Sequence, residues 1–190
     1  MKPISRYAGL FAALASTAAA GVFNVVHLGP PDFIRFEIRS GSTSQAFDLA
    51  FGGSTGRFIL PEKECAILSL PNRKTKDLAI PASSQQNIAV LTMPEDKEIW
   101  KMIPGKPTQD KWSLRVVNIG IEPAVIERAG KPLEIAAGAT VEIPASDKDD
   151  IAVLFKGGDK KSYDGKEPCA IVALLYRKDD GWQVLFIPDR

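Results

Sequence analysis

The chain has 190 residues, 45% hydrophobic and 25% charged, with a formal net charge of +1. Such a composition supports a packed core at a length between one domain and two, and excludes a disordered chain. The near-neutral balance leaves no basic footprint for nucleic acid or for an anionic membrane surface, so neither is an expected partner.

The first 20 residues have the pattern of an export signal. Lys2 and Arg6 form a basic start, AGLFAALA (Ala8 to Ala15) an apolar run, and Ala18-Ala19-Ala20 a small-residue cleavage site before Gly21. An uncleaved anchor is the rival reading, but the window holds Ser, Thr and many alanines where a spanning helix wants about 20 strongly apolar residues. The expectation is a mature protein from Gly21 onward, periplasmic or secreted, with no membrane insertion after cleavage. Its basic residues then number 22 against 23 acidic, a formal charge of −1.

FNVVHLG (Phe23 to Gly29) opens the mature chain and returns as LRVVNIG (Leu114 to Gly120). Further segments follow in the same order in both halves: RFILP and TVEIP, IAVLTM and IVALLY, then a charged turn and IWKMIP or WQVLFIP. The opening pair is offset by 91 residues, while Pro61 to Pro144 and Ile88 to Ile171 are each offset by 83, as if one loop had been shortened by 8. A competing match, IPASSQQNIAVL against IPASDKDDIAVL, agrees at 8 of 12 positions with an offset of 63. It would scramble the order of everything else, so it reads as a local echo. In that echo proline closes a strand, since it has no N–H for a central ladder.

These segments are short runs rich in Val, Ile, Leu and Phe, bounded by Pro, Gly, Asp and Lys, and FIRFEI (Phe33 to Ile38) partly alternates. The expected fold is all-β: two tandem immunoglobulin-like β-sandwich domains related by internal duplication, residues 21–108 and 109–190. The alternative is one larger pseudosymmetric sandwich or barrel.

Candidate chemistry is sparse. GGSTG (Gly52 to Gly56) fits G-x-S-x-G with Ser54 in the nucleophile position, but its flanks read as strands and the single histidine, His27, precedes it. His27 corresponds to Asn118, and a copper site would need a second histidine. Asp147, Asp149 and Asp150 crowd one turn without the calcium-loop signature. No catalytic residue, metal or cofactor is therefore expected. Cys65 and Cys169 are a candidate disulfide, because export exposes an even cysteine count to oxidation. Trp100 and Trp182 fall in corresponding last strands, whereas Trp112, near the junction, is the candidate domain-interface residue. The segment from Ser40 to Gly56 is longer than its counterpart and presents Phe47 and Phe51 as a candidate partner-binding edge. A second distinctive segment is GGDKKSYDGKEP, placed where the first half has DLAIP.

The functional expectation is a non-catalytic binding, adaptor or structural protein of the envelope, with an unknown protein or glycan partner. The alternative is a carbohydrate-binding or carbohydrate-modifying protein, which three tryptophans on one accessible face would favour.

Overall fold

A computed structural model describes residues 21–29, 32–40, 42–60, 64–69, 76–79, 86–92, 99–106, 111–179 and 181–189. Residues 1–20, expected to be an export signal, and the turn at residues 94–98 lie outside the described residues, as do residues 107–110 of the junction. The described chain is all-β. Its first half contains β1 (Gly21–His27), β2 (Phe33–Ser40), β3 (Thr43–Ala50), β4 (Phe58–Leu60), β5 (Glu64–Ser69), β6 (Lys76–Ala79), β7 (Gln86–Thr92) and β8 (Ile99–Ile103). Its second half contains β9 (Ser113–Asn118), β10 (Ala124–Arg128), β11 (Lys131–Ile135), β12 (Thr140–Pro144), β13 (Ala152–Phe155), β14 (Lys160–Ser162), β15 (Ala170–Lys178) and β16 (Gly181–Asp189).

Among the described residues the strands form four four-stranded sheets, and the strand order repeats. The first half forms β4-β1-β7-β8 and β3-β2-β5-β6; the second forms β12-β9-β15-β16 and β11-β10-β13-β14. In both halves the first strand runs parallel to the seventh, Val25 facing Ala89 and Val116 facing Ala173.

Alternation of side chains across each strand sorts the apolar residues into three cores. Phe23, Val25, Ala89 and Leu91 pack against Ile34, Phe36, Ile38 and Leu49 of the neighbouring sheet. Leu114, Val116, Ile171 and Ala173 pack likewise against Ile126, Val153 and Phe155. The intervening residues form a third core in which Val26, Ile88, Val90 and Ile103 of the first half meet Val117, Val172, Leu174 and Ile187 of the second. The layers therefore run outer, inner, inner, outer. This explains why β7 and β15 read as unbroken apolar runs: sheets covered on both faces have no solvent side to make polar.

The ladders correct the spacing expected from the sequence. With Phe23 matched to Leu114, their partners Phe58 and Ile143 are offset by 85, and Ala89 and Ala173 by 84. An offset of 83 would match Ile88, which faces the central core, to Ile171, which faces the second outer sheet. A slip of one residue reverses the face of every side chain. The length difference lies in a hairpin and not in a loop. β2 and β3 pair over eight positions and β10 and β11 over five, so three rungs on two arms account for the fall of six from 91 to 85. The shorter hairpin closes through Ala129 and Gly130, both at positive φ (51° and 73°), as a tight two-residue turn of this hand requires.

Two further expectations are settled by layer. The IAVL of β7 lies in an inner sheet and that of residues 151–154 enters β13 of an outer sheet, so their sequence match is local. GGDKKSYDGKEP does not replace the strand over DLAIP: it contains β14, which pairs with β13 as β6 pairs with β5.

Candidate ligand groove between the inner sheets

The central core is apolar in its middle and polar at both ends, and the two ends are built differently. At one end lies Arg115, on β9, at the position that corresponds to Asn24 of β1 in the first half. Its Nη1 donates to the Pro104 carbonyl (2.7 Å) and its Nη2 to Asp189 Oδ2 (3.2 Å). The same carboxylate oxygen accepts the Lys106 N–H at 3.3 Å, and Gln86 Nε2 donates to the Pro188 carbonyl. Asp189 is 1% exposed and Arg115 8%. Burial pushes the Asp189 carboxyl above the usual carboxylate range, against the opposing pull of Lys106 N–H and Arg115; burial likewise lowers Arg115, with Asp189 opposing. A cavity of about 400 Å³ opens beside this pair, edged by Lys106 and Glu142, which also form an ion pair.

At the other end, the segments that follow β1 and β9 converge. Leu28 and Gly29, from FNVVHLG, and Ile119 to Glu122, from LRVVNIG and its continuation, line one groove with Val90, Ile99, Lys101 and Tyr176. Its volume is about 530 Å³, within the range of about 300 to 1,000 Å³ typical of small-molecule sites. Ile121 is 85% exposed and Ile99 40%, so apolar surface continues onto the rim. Gly120 allows a close approach: a Cβ there would lie 3.1 Å from the Trp182 ring. Lys101 reaches across from β8 and donates to the carbonyls of Gly138 and Asn118 in the second half. Burial lowers its ammonium below the ordinary lysine value and raises the Tyr176 hydroxyl. At the rim, Arg177 pairs with Glu122 at 3.4 Å and lies 5.8 Å from the Trp182 ring centre.

The residues singled out from the sequence lie elsewhere or hold the fold. Ser54 donates to Asn24 Oδ1 (2.7 Å) and accepts the Gly56 N–H, so its hydroxyl ties the GGSTG segment to β1. That segment also bridges to β1 through its backbone, His27 N–H to Gly53 O and Thr55 N–H to Val25 O. His27 is fully buried and sits edge-on to Phe51. Its counterpart Asn118 donates through Nδ2 to the carbonyls of Glu122, Ile135 and Ala136 and accepts the Gly120 N–H. Asp147 and Asp150 accept backbone N–H groups within their own turn, and Asp150 also pairs with Arg128.

Cys169 is a free thiol buried in the second core, so the expected Cys65–Cys169 disulfide is not formed. Cys65 belongs to β5 in the outer sheet of the other half, with both inner sheets intervening. Trp112 also departs from expectation. It packs on the second core, edge-to-face with Tyr163 at 6.4 Å, because it alternates with Leu114 toward the outer sheet and not toward the junction. Trp100 packs on the first core and Trp182 on the second. Phe47 stacks on Phe36 against the first core. Phe51 turns toward the second half, 5.5 Å from the Tyr176 ring and beneath Lys178. β3 itself is the terminal strand of its sheet, and β11 is its counterpart, so it is not an added strand.

Sequence reasoning missed Lys101, Arg115, Ile121 and Asp189. Arg115 carried a signal, a charge inside an otherwise apolar repeated strand. Lys101 and Asp189 acquire meaning only when the two halves stack. No protein-family model and no curated protein matches the chain.

Proposed function

We propose that the chain is an exported, non-catalytic binding protein of the periplasm or cell exterior, with residues 21–108 and 109–190 as duplicated sandwiches that together form its site. The observation that carries this reading is the convergence of the two copies of one strand end on a single apolar groove. A duplicated scaffold brings its equivalent loops together there, and neither half lines the groove alone. Commitment of Ser54, Asn118 and the Asp147–Asp150 turn to internal hydrogen bonds further supports a binding role over catalysis. Packing of all three tryptophans against the two sandwich cores weighs against the sugar-stacking alternative.

The test is recovery of the protein from its native envelope, followed by mass spectrometry of what accompanies it. A ligand retained by the wild type and lost from an Ile121→Asp variant of unchanged unfolding midpoint is the expected result. Equal retention by both would move the site away from the groove. N-terminal sequencing of the same material should begin at Gly21, and an intact Met1 would refute export by cleavage.

A further inference from the structure

We propose that the groove binds an aliphatic carboxylate, a fatty-acid-like anion whose chain lies on the apolar walls and whose head meets Lys101. This inference rests on the groove being the binding site and adds the chemical class of the occupant.

Charge is the first argument. Three charged side chains line the groove, and two of them, Arg177 and Glu122, face each other at 3.4 Å. Lys101 meets two neutral carbonyls, and no carboxylate pairs with it among the described residues. An ammonium has three donors, so one is left after the bonds to Gly138 and Asn118. A half-buried cation against apolar walls is partly stripped of water and, among the described residues, has no counter-ion, which an anionic head would supply. Burial already depresses the Lys101 ammonium, and a bound carboxylate would reverse that depression.

The second argument selects an aliphatic chain over an apolar peptide. A peptide brings an N–H and a C=O with every residue, and each needs a partner when buried. Three backbone donors at the groove are already used: Leu28 N–H donates to Leu91 O, Ile119 N–H to Leu175 O and Gly120 N–H to Asn118 Oδ1. An alkyl chain makes no such demand. Leu28, Val90, Ile119 and Ile121 offer it only hydrocarbon, and its size class matches the volume of about 530 Å³.

The experiment titrates the purified full chain with dodecanoate, dodecanol and a short apolar peptide bearing a free C-terminal carboxylate, by calorimetry. Dodecanoate is expected to bind one to one and at least about tenfold more tightly than dodecanol, a difference of about 1.4 kcal/mol. In Lys101→Met that preference should disappear while the unfolding curve stays cooperative. Lys101→Arg should keep it, which separates charge from packing. Binding of dodecanoate should also shift the Lys101 side-chain nitrogen resonance.

Equal affinity for acid and alcohol, or an unchanged preference in Lys101→Met, would overturn the proposal. Tighter binding of the peptide, lost in Ile121→Asp, would overturn the aliphatic assignment while leaving the groove as the site. Binding of dodecanoate that is indifferent to both Ile121→Asp and Lys101→Met would overturn the groove reading as well.

Discussion

The two ends of the central core receive the same kind of material, one cation from each half, and treat it in opposite ways. Arg115 is closed in, paired with Asp189 and capped by the Pro104 carbonyl. Lys101 is left on an open, largely apolar groove and, among the described residues, meets only carbonyl partners. The difference teaches that stacking two sandwiches of the same strand order need not produce two equal ends: one is closed by a buried ion pair and the other is an open, largely apolar groove.

The sharpest way to break this comparison is to remove one half altogether. Residues 109–190 alone would bare Val117, Val172, Leu174 and Ile187, a contiguous apolar face. The fragment is expected to self-associate in sedimentation experiments, and a Leu174→Lys change in the fragment should return it to a monomer. A monomeric unmodified fragment with cooperative unfolding would show that the central core is dispensable to the second sandwich.

At the closed end, Asp189→Ala leaves the Arg115 guanidinium nearly buried with a carbonyl as its remaining partner. The expected cost is about 3 to 5 kcal/mol in urea unfolding, whereas replacing both by Leu and Met should be neutral or stabilising. The pH dependence has a definite sign. Burial holds the Asp189 carboxyl above its unfolded value, so the folded state binds that proton more tightly. Its contribution is then greatest below the unfolded pKa of about 3.9 and is lost as pH rises through the folded value. The stability difference between wild type and Asp189→Asn should accordingly move against the wild type from about pH 4 upward.

Asn118→Ala tests the residue that answers to His27. It strips a donor from the carbonyls of Ile135 and Glu122 and should cost about 1 to 3 kcal/mol in the same assay. The smallest effect belongs to Arg35→Ala. Its bidentate pair with Asp48 spans the exposed face of the β2–β3 hairpin, with side chains 68% and 44% exposed, and its loss should leave the melting temperature within error.

Much of this architecture was legible in the sequence, because paired valines and strand-ending prolines mark inner strands plainly. Register was less so. In β7 and β15 both faces are apolar, and a run without alternation carries no phase, so an offset of 83 looked as good as 84. β14 was invisible for the opposite reason: Lys160, Lys161 and Ser162 are all exposed and hold their place through the ladder to β13. The groove could not be read at all, since Leu28, Lys101, Ile121 and Tyr176 are far apart in the chain and meet through the stacking of inner sheets. Cys65 and Cys169 show the same limit from the other side. An even cysteine count speaks of compartment, while pairing depends on which layer each thiol enters.

The parallel pairing of β1 with β7 and of β9 with β15 bears on how the chain comes to be folded. Val25 must find Ala89, 64 residues on, and Val116 must find Ala173, 57 residues on, before either inner sheet has its middle. Local hairpins such as β10–β11 close within microseconds, but pairings of such long separation are slow, since the entropy of a large loop is lost before contacts reward it. A nascent chain emerging from its N-terminus can pair β1 with β4 early, but holds its other edge without the parallel partner β7 until nearly the whole first half has been made. Assembly of each half is completed by the pairing of its two ends, and the groove, which needs both inner sheets, can form only once both halves have been made.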